Sequence, residues 1–90
     1  GLTELYIQEG DYEKSQHYYN RLVRLIRESG MRHTAQSLWQ GIRISNYFKS
    51  RDQALGLVYL LNEMYPDSEE NGYAQSLLNT GQTNIPGVLK

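Results

Sequence analysis

Apolar side chains recur along this chain at intervals of three and four residues, the period of an amphipathic helix, in five stretches separated by glycine, proline or capping residues. Leu2, Leu5 and Tyr6 share one face of a short first stretch, and Tyr18, Tyr19, Leu22, Leu25 and Ile26 share one face of a longer second. Gly10 and Asp11 punctuate the two, which predicts a helical hairpin from Leu2 to Gly30. Ser29-Gly30 closes it, because glycine takes the left-handed conformation that lets the last carbonyls be satisfied. A third helix is predicted from Thr34 to Lys49, with Ala35, Leu38, Trp39, Ile42 and Ser45 on one face. Ile44 and Phe48 widen that arc, so neighbours are expected on two sides.

Ser50-Arg51-Asp52-Gln53 fits a capping box, in which the serine hydroxyl and the glutamine side chain each satisfy a free amide at the start of a fourth helix. Its stripe is Ala54, Leu57, Val58, Leu61 and Tyr65, with Leu60 and Met64 beside it, and burial along most of its length is expected. Pro66 has no amide hydrogen and pushes its predecessor out of helical angles, which ends this helix at Met64 or Tyr65. Asp67, with Glu70 three residues on, starts a fifth helix whose apolar face is Tyr73, Ala74, Leu77 and Leu78 and whose end lies before Gly81. The remainder, QTNIPGVLK, has no period. The chain therefore divides into a helical domain over residues 1–81 and a flexible tail over 82–90, with no competing strand pattern.

Composition narrows the class without changing the architecture. At 90 residues, 39% hydrophobic and 21% charged, the chain suits one globular core and neither disorder nor a membrane protein. Its longest apolar run, Leu57 to Leu61, is far short of the roughly 20 residues that cross a bilayer. The absence of cysteine excludes disulfides and thiolate chemistry and leaves the compartment open between cytoplasm and bacterial periplasm. A net charge of −1 gives no global attraction for nucleic acid.

Gly10-Asp11-Tyr12-Glu13-Lys14-Ser15 resembles the glycine turn and following helix of the tetratricopeptide repeat family, with Ser15 at a small, closely packed position and Tyr19 at an aromatic one. Ala54, Val58 and Pro66 resemble a second unit, the proline falling twelve residues after the alanine. The Tyr65 to Glu69 turn is most similar to repeats of bacterial cell-envelope proteins. Ser15 and Ala54 are 39 residues apart against the family period of 34, so an extended helix or connection between them is implied. The resemblance implies an all-α fold of antiparallel helical hairpins stacked in a repeat-like array of about five helices. It also implies a non-enzymatic scaffold that holds a peptide or protein partner on a helical face.

The candidate binding residues are aromatic and basic. Eight tyrosines are the compositional oddity; most suit amphipathic packing, and Tyr12, Tyr47 and Tyr73 lie least clearly on a core stripe. Arg21, Arg24 and Arg27 follow a spacing of three, with Arg32, Arg43 and Arg51 later. They read either as a solvated face or as a strip for a carboxylate-bearing peptide, with RNA a weaker alternative that the acidic Glu4, Glu9, Asp11 and Glu13 oppose. Partner binding is accordingly assigned to Tyr12, Arg21, Arg24, Tyr47 and Tyr73.

His17 and His33 stand alone in the sequence. Glu13 and His17 are four apart, but no second histidine or carboxylate pair completes a metal site. Neither histidine has a recognisable serine or aspartate partner, so no catalytic group, metal or cofactor is expected. Two hairpins with one extra helix are near the minimum that stands alone, which makes self-association or a structural role in a larger repeat protein the competing expectation. Gly41 and Gly56 fall within predicted helices, where each costs roughly 1 kcal/mol relative to alanine, and Gly56 is expected to mark a close helix approach.

Overall fold

The computed structural model describes residues 2–79, and over them the chain forms five α-helices and no strand. The helices are α1 (Leu2–Gln8), α2 (Tyr12–Ser29), α3 (Ala35–Tyr47), α4 (Arg51–Met64) and α5 (Glu69–Asn79). The expected all-α class is therefore observed. Gly81 and the tail at 82–90 lie outside the described residues.

α3 occupies the centre and touches each of the other four helices, while α1 also packs on α2 and α4 on α5. Seven of its thirteen residues are buried, among them Leu38 and Ile42 on one side and Gly41 and Ile44 on the other. The first side joins Val58 and Leu61 of α4 and Ala74 and Leu78 of α5 in the larger core. The second meets Ile7 of α1 and Tyr19 of α2, with Leu22 and Val23 packed against them. The widened apolar arc read from Ile44 is thus a helix with two cores.

Several local expectations are corrected. In α1 the buried residues are Thr3 and Ile7, whereas Leu2 and Leu5 are 48% and 47% exposed. The helix is rotated so that Ile7 meets Tyr19 and Ile44, and a threonine four residues earlier shares that face. α4 buries the Ala54, Val58 and Leu61 face; Tyr59 and Leu60 are 68% and 38% exposed, on a side that no helix of the described residues covers. α3 stops at Tyr47 rather than Lys49.

The helix ends explain these stops. At the end of α1 the Asp11 amide donates to the Tyr6 carbonyl and the Gly10 amide to the Ile7 carbonyl, with Gly10 left-handed at φ 81°. At the end of α3 the same pair of bonds runs from Ser50 to Ser45 and from Lys49 to Asn46, and Lys49 takes φ 60°. Lysine there carries the steric cost that glycine avoids. The Ser50 hydroxyl makes no capping bond, and its amide, the donor that the Gln53 side chain would need, is tied back to Ser45, so the expected Ser50/Gln53 capping box does not form. A capping box forms instead at α3, where Thr34 is extended and exchanges bonds with Ser37 at 2.9 and 3.0 Å. At α5 the cap is Ser68, whose Oγ accepts from the Asn71 amide. Asp67, the expected cap, lies in the Pro66 turn that a Ser68-to-Tyr65 backbone bond closes.

Gly56 is not a close approach: a β-carbon there would meet nothing within 4 Å. Gly41 is the close approach. A β-carbon at 41 would lie 2.7 Å from Tyr19 Cζ and 2.9 Å from Leu57 Cδ1, with the Tyr19 hydroxyl nearer still. Gly56→Ala is therefore expected to stabilise the fold by up to about 1 kcal/mol through helix propensity. Gly41→Ala should cost about 1–3 kcal/mol through overpacking. Lys49→Gly should raise stability by about 1 kcal/mol by relieving the left-handed residue. Urea midpoints of the three variants check these signs; equal effects at 41 and 56 would contradict the packing described.

Candidate partner-binding groove

α2 is four residues longer than α4, 18 against 14, and the longest helix among the described residues. At 1.5 Å per residue it runs for roughly 27 Å, against roughly 10 Å for the described residues of α1. α1 covers the first part, where Tyr6 stacks on Tyr18 with ring centroids 5.5 Å apart. Beyond it the apolar stripe of α2 continues uncovered. Leu22 and Ile26 are half-buried, and Leu25, expected on the core face, is 63% exposed.

The uncovered stripe forms one wall of a groove of about 540 Å³ between α2, the start of α1 and the first turns of α3. Leu2, Leu25, Ile26 and Met31 give it aliphatic surface, and Arg21 and Arg32 stand among its lining residues. Met31 is 68% exposed. Gln40 and Ser37 close the α3 side.

An ion pair joins α1 to α3, and Gln40, which lines the groove, shares in it. Arg43 donates from Nη1 to Glu4 Oε2 at 3.1 Å and from Nη2 to Oε1 at 2.5 Å, and Gln40 Nε2 donates to the same carboxylate at 3.3 Å. Each side chain of the pair keeps 22% of its surface exposed. The Arg43 hydrogen bonds hold the Glu4 carboxyl below its ordinary range, against the opposing effect of burial. Arg43 also lies 5.2 Å from the Trp39 ring centroid. It is therefore withdrawn from the basic strip, and Glu4 from the acidic end, to which the sequence had assigned them.

The other expected binding residues are dispersed. Tyr12 and Tyr47 are brought together, stacked with centroids 4.2 Å apart, in a separate cleft with Glu9, Asp11 and Glu13. Arg21 lines the groove, while Arg24 is exposed on α2 outside its lining. Tyr73 lies on α5, half in solvent, against Trp39 at 5.7 Å. Leu2, Leu25 and Met31 were not among the candidates. Their signal was present in the mismatch between the long apolar stripe of the second helix and the short first helix.

His33 is not isolated: its Nδ1 lies 2.9 Å from Ser37 Oγ. That hydroxyl also accepts from the Thr34 amide and faces the Thr34 carbonyl at 3.0 Å, so the pair belongs to the cap of α3. Burial lowers the pKa of the His33 ring, and its carbonyl accepts from the Tyr65 hydroxyl, which ties the α2–α3 connection to the end of α4. Tyr19, which carries the contact between α2 and α3, has its phenol pushed up to about 12 by burial. Among the described residues no group of three acidic or histidine side chains could hold a metal ion, and no helix is long and apolar enough to cross a membrane.

Compared with protein-family models, curated proteins and solved structures, the chain matches none, so the site is read from its own residues.

The Glu4–Arg43 pair predicts a specific pH dependence. A carboxyl whose folded pKa is depressed contributes stability above its unfolded value, ordinarily 4.5, and loses it as pH falls through the lower folded value. The melting temperature of the wild type should therefore exceed that of Glu4→Gln by a constant margin above about pH 5. The gap should close as the solution is taken more acidic than 4.5. A margin that persists unchanged in strong acid would assign the effect to packing instead.

Proposed function

We propose that this chain is a non-enzymatic interaction module, a tetratricopeptide-like pair of helical hairpins with a fifth helix, that holds a segment of a partner protein in the groove beside α2. The contacts of α3 with both hairpins and with α5 support the stacked arrangement, as does the complete burial of Ser15 at the small position of the first hairpin. One observation carries the functional reading: an aliphatic groove of about 540 Å³ whose walls, Leu25 and Met31, remain largely in solvent. Monomeric surfaces seldom leave such a patch without a use. A small-molecule site buries most of its ligand, which walls this open cannot do. A polypeptide segment is the occupant that an open groove suits.

A structural role in a larger assembly is the second reading. It is favoured by α4, where Tyr59 and Leu60 are 68% and 38% exposed on a side that a further helix could cover. The two readings place the decisive residues on different helices.

Selection of random displayed peptides on the wild-type chain tests the proposal. Leu25→Glu and Met31→Glu should each weaken the selected peptides by roughly tenfold or more. Tyr59→Glu, equally exposed on α4, should leave them unchanged. Failure to enrich any peptide, or equal loss at position 59, rejects the groove as the binding site.

A further inference from the structure

Resting on the groove reading above, we propose that the segment it takes is acidic. It is a stretch of partner protein that lays apolar side chains against Leu2, Leu25 and Met31 and directs aspartate or glutamate carboxylates to Arg21 and Arg32. The argument begins with where charge lies. The chain as a whole carries −1, yet residues 21–32 hold four arginines and a single acid, Glu28. The remaining acids gather elsewhere: Glu9, Asp11 and Glu13 beside the Tyr12–Tyr47 cleft, and Asp52, Glu63, Asp67, Glu69 and Glu70 on α4, α5 and their connection. A nearly neutral molecule thus presents a basic region over residues 21–32, and the groove lies within it.

The acid of α1 does not cancel that charge. Glu4 spends both carboxylate oxygens on Arg43, with Gln40 sharing one of them. Among the described residues the two ion pairs are Glu4–Arg43 and Asp11–Lys14, so neither Arg21 nor Arg32 is occupied by a carboxylate of those residues. A guanidinium fork with free donors beside aliphatic surface matches a carboxylate on a partly apolar segment, which supplies two parallel bonds to one residue.

Other anionic occupants fit less well. Single-stranded nucleic acid is held by aromatic faces that stack on bases along a basic track. Here the stacked pair Tyr12 and Tyr47 stands among carboxylates, and Tyr18, the aromatic in the groove's lining, is already stacked on Tyr6, so the apolar contact beside Arg21 and Arg32 comes from Leu2, Leu25, Ile26 and Met31. A membrane surface calls for a convex or flat amphipathic face. Leu25 and Met31 instead line a concavity closed by Thr34, Ser37 and Gln40.

Sequencing the peptides enriched on the full chain, followed by titration of several by fluorescence anisotropy, tests the chemistry. Acidic sequences with apolar anchors should dominate, and their affinity should fall as salt rises. The doubly reversed variant Arg21→Glu/Arg32→Glu, both at exposed positions, should fold normally by circular dichroism, bind these peptides roughly tenfold more weakly and enrich basic ones instead. Neutral or basic sequences that still depend on Leu25 and Met31 would overturn the acidic assignment and leave the groove standing. Peptides indifferent to Leu25 and Met31 would overturn the groove itself. Displacement of the peptides by a uridine oligonucleotide, or binding to phosphatidylcholine vesicles only when phosphatidylserine is added, assigns the arginines to another class of partner. A dimer in sedimentation velocity that Leu25→Glu dissociates assigns the groove to a second copy of the chain, and overturns the proposal equally.

Discussion

Tyr19 reaches α3 only because residue 41 has no side chain, and that contact joins the two halves of the molecule. Its ring, buried to 6% exposure, lies over Gly41 with Leu57 of α4 close on the other side. A buried aromatic contributes more apolar area than any other side chain in the smaller cluster, where it stands between Ile7 and Ile44. Without the close approach the smaller core would lose its largest buried side chain, leaving Ile7 against Ile44, the Tyr12–Tyr47 stack and the Glu4–Arg43 pair to hold the first hairpin to α3. With it, a helix of thirteen residues is packed from both sides and sets the angle at which α1 and α2 meet the rest.

The connections have to hold that geometry with few residues. Two helix ends, after α1 and after α3, use the same pair of backbone bonds, one with glycine in the left-handed position and one with lysine. The capping box of α3 draws in His33, whose carbonyl is anchored by Tyr65. The end of α2, the start of α3 and the end of α4 are therefore coupled through one imidazole and one phenol. Pro66 completes the arrangement: its own carbonyl accepts from Asn71, which is buried and also bonds Asn62 of α4. The turn between α4 and α5 is held from inside as well as along the backbone.

The helices themselves were legible because each apolar stripe keeps its period and three of the four breaks have a named cause in Gly10, Gly30 or Pro66, the fourth falling at a left-handed lysine. What misled was any feature whose meaning depends on a neighbour. Gly41 and Gly56 look alike in sequence, and only the position of Tyr19 distinguishes them. Ser50 has the residues of a capping box, but its amide was already used by α3. Arg43 shares its residue type with Arg21 and Arg24, yet a carboxylate 39 positions away removes it from the surface. Tyr12 and Tyr47 were singled out separately, and their stacking could not be read from spacing because they lie on different hairpins. The groove itself was written in helix lengths rather than in any motif.

Those lengths connect the fold to the function proposed for it. A helix whose apolar stripe outruns its cover must hide the surplus, dilute it with charge or lend it to another molecule. Along the second half of α2 the surplus is Leu25 with part of Ile26, and Arg21 on the helix and Arg32 beyond its end line the same groove. The arginine stems extend apolar contact while their charged ends keep the empty groove hydrated. In the proposed binding the same guanidinium groups would impose a sign on the occupant, because one that covered Leu25 without answering the charge would leave desolvated cations behind. Solubility when empty and discrimination when filled thus come from one set of side chains.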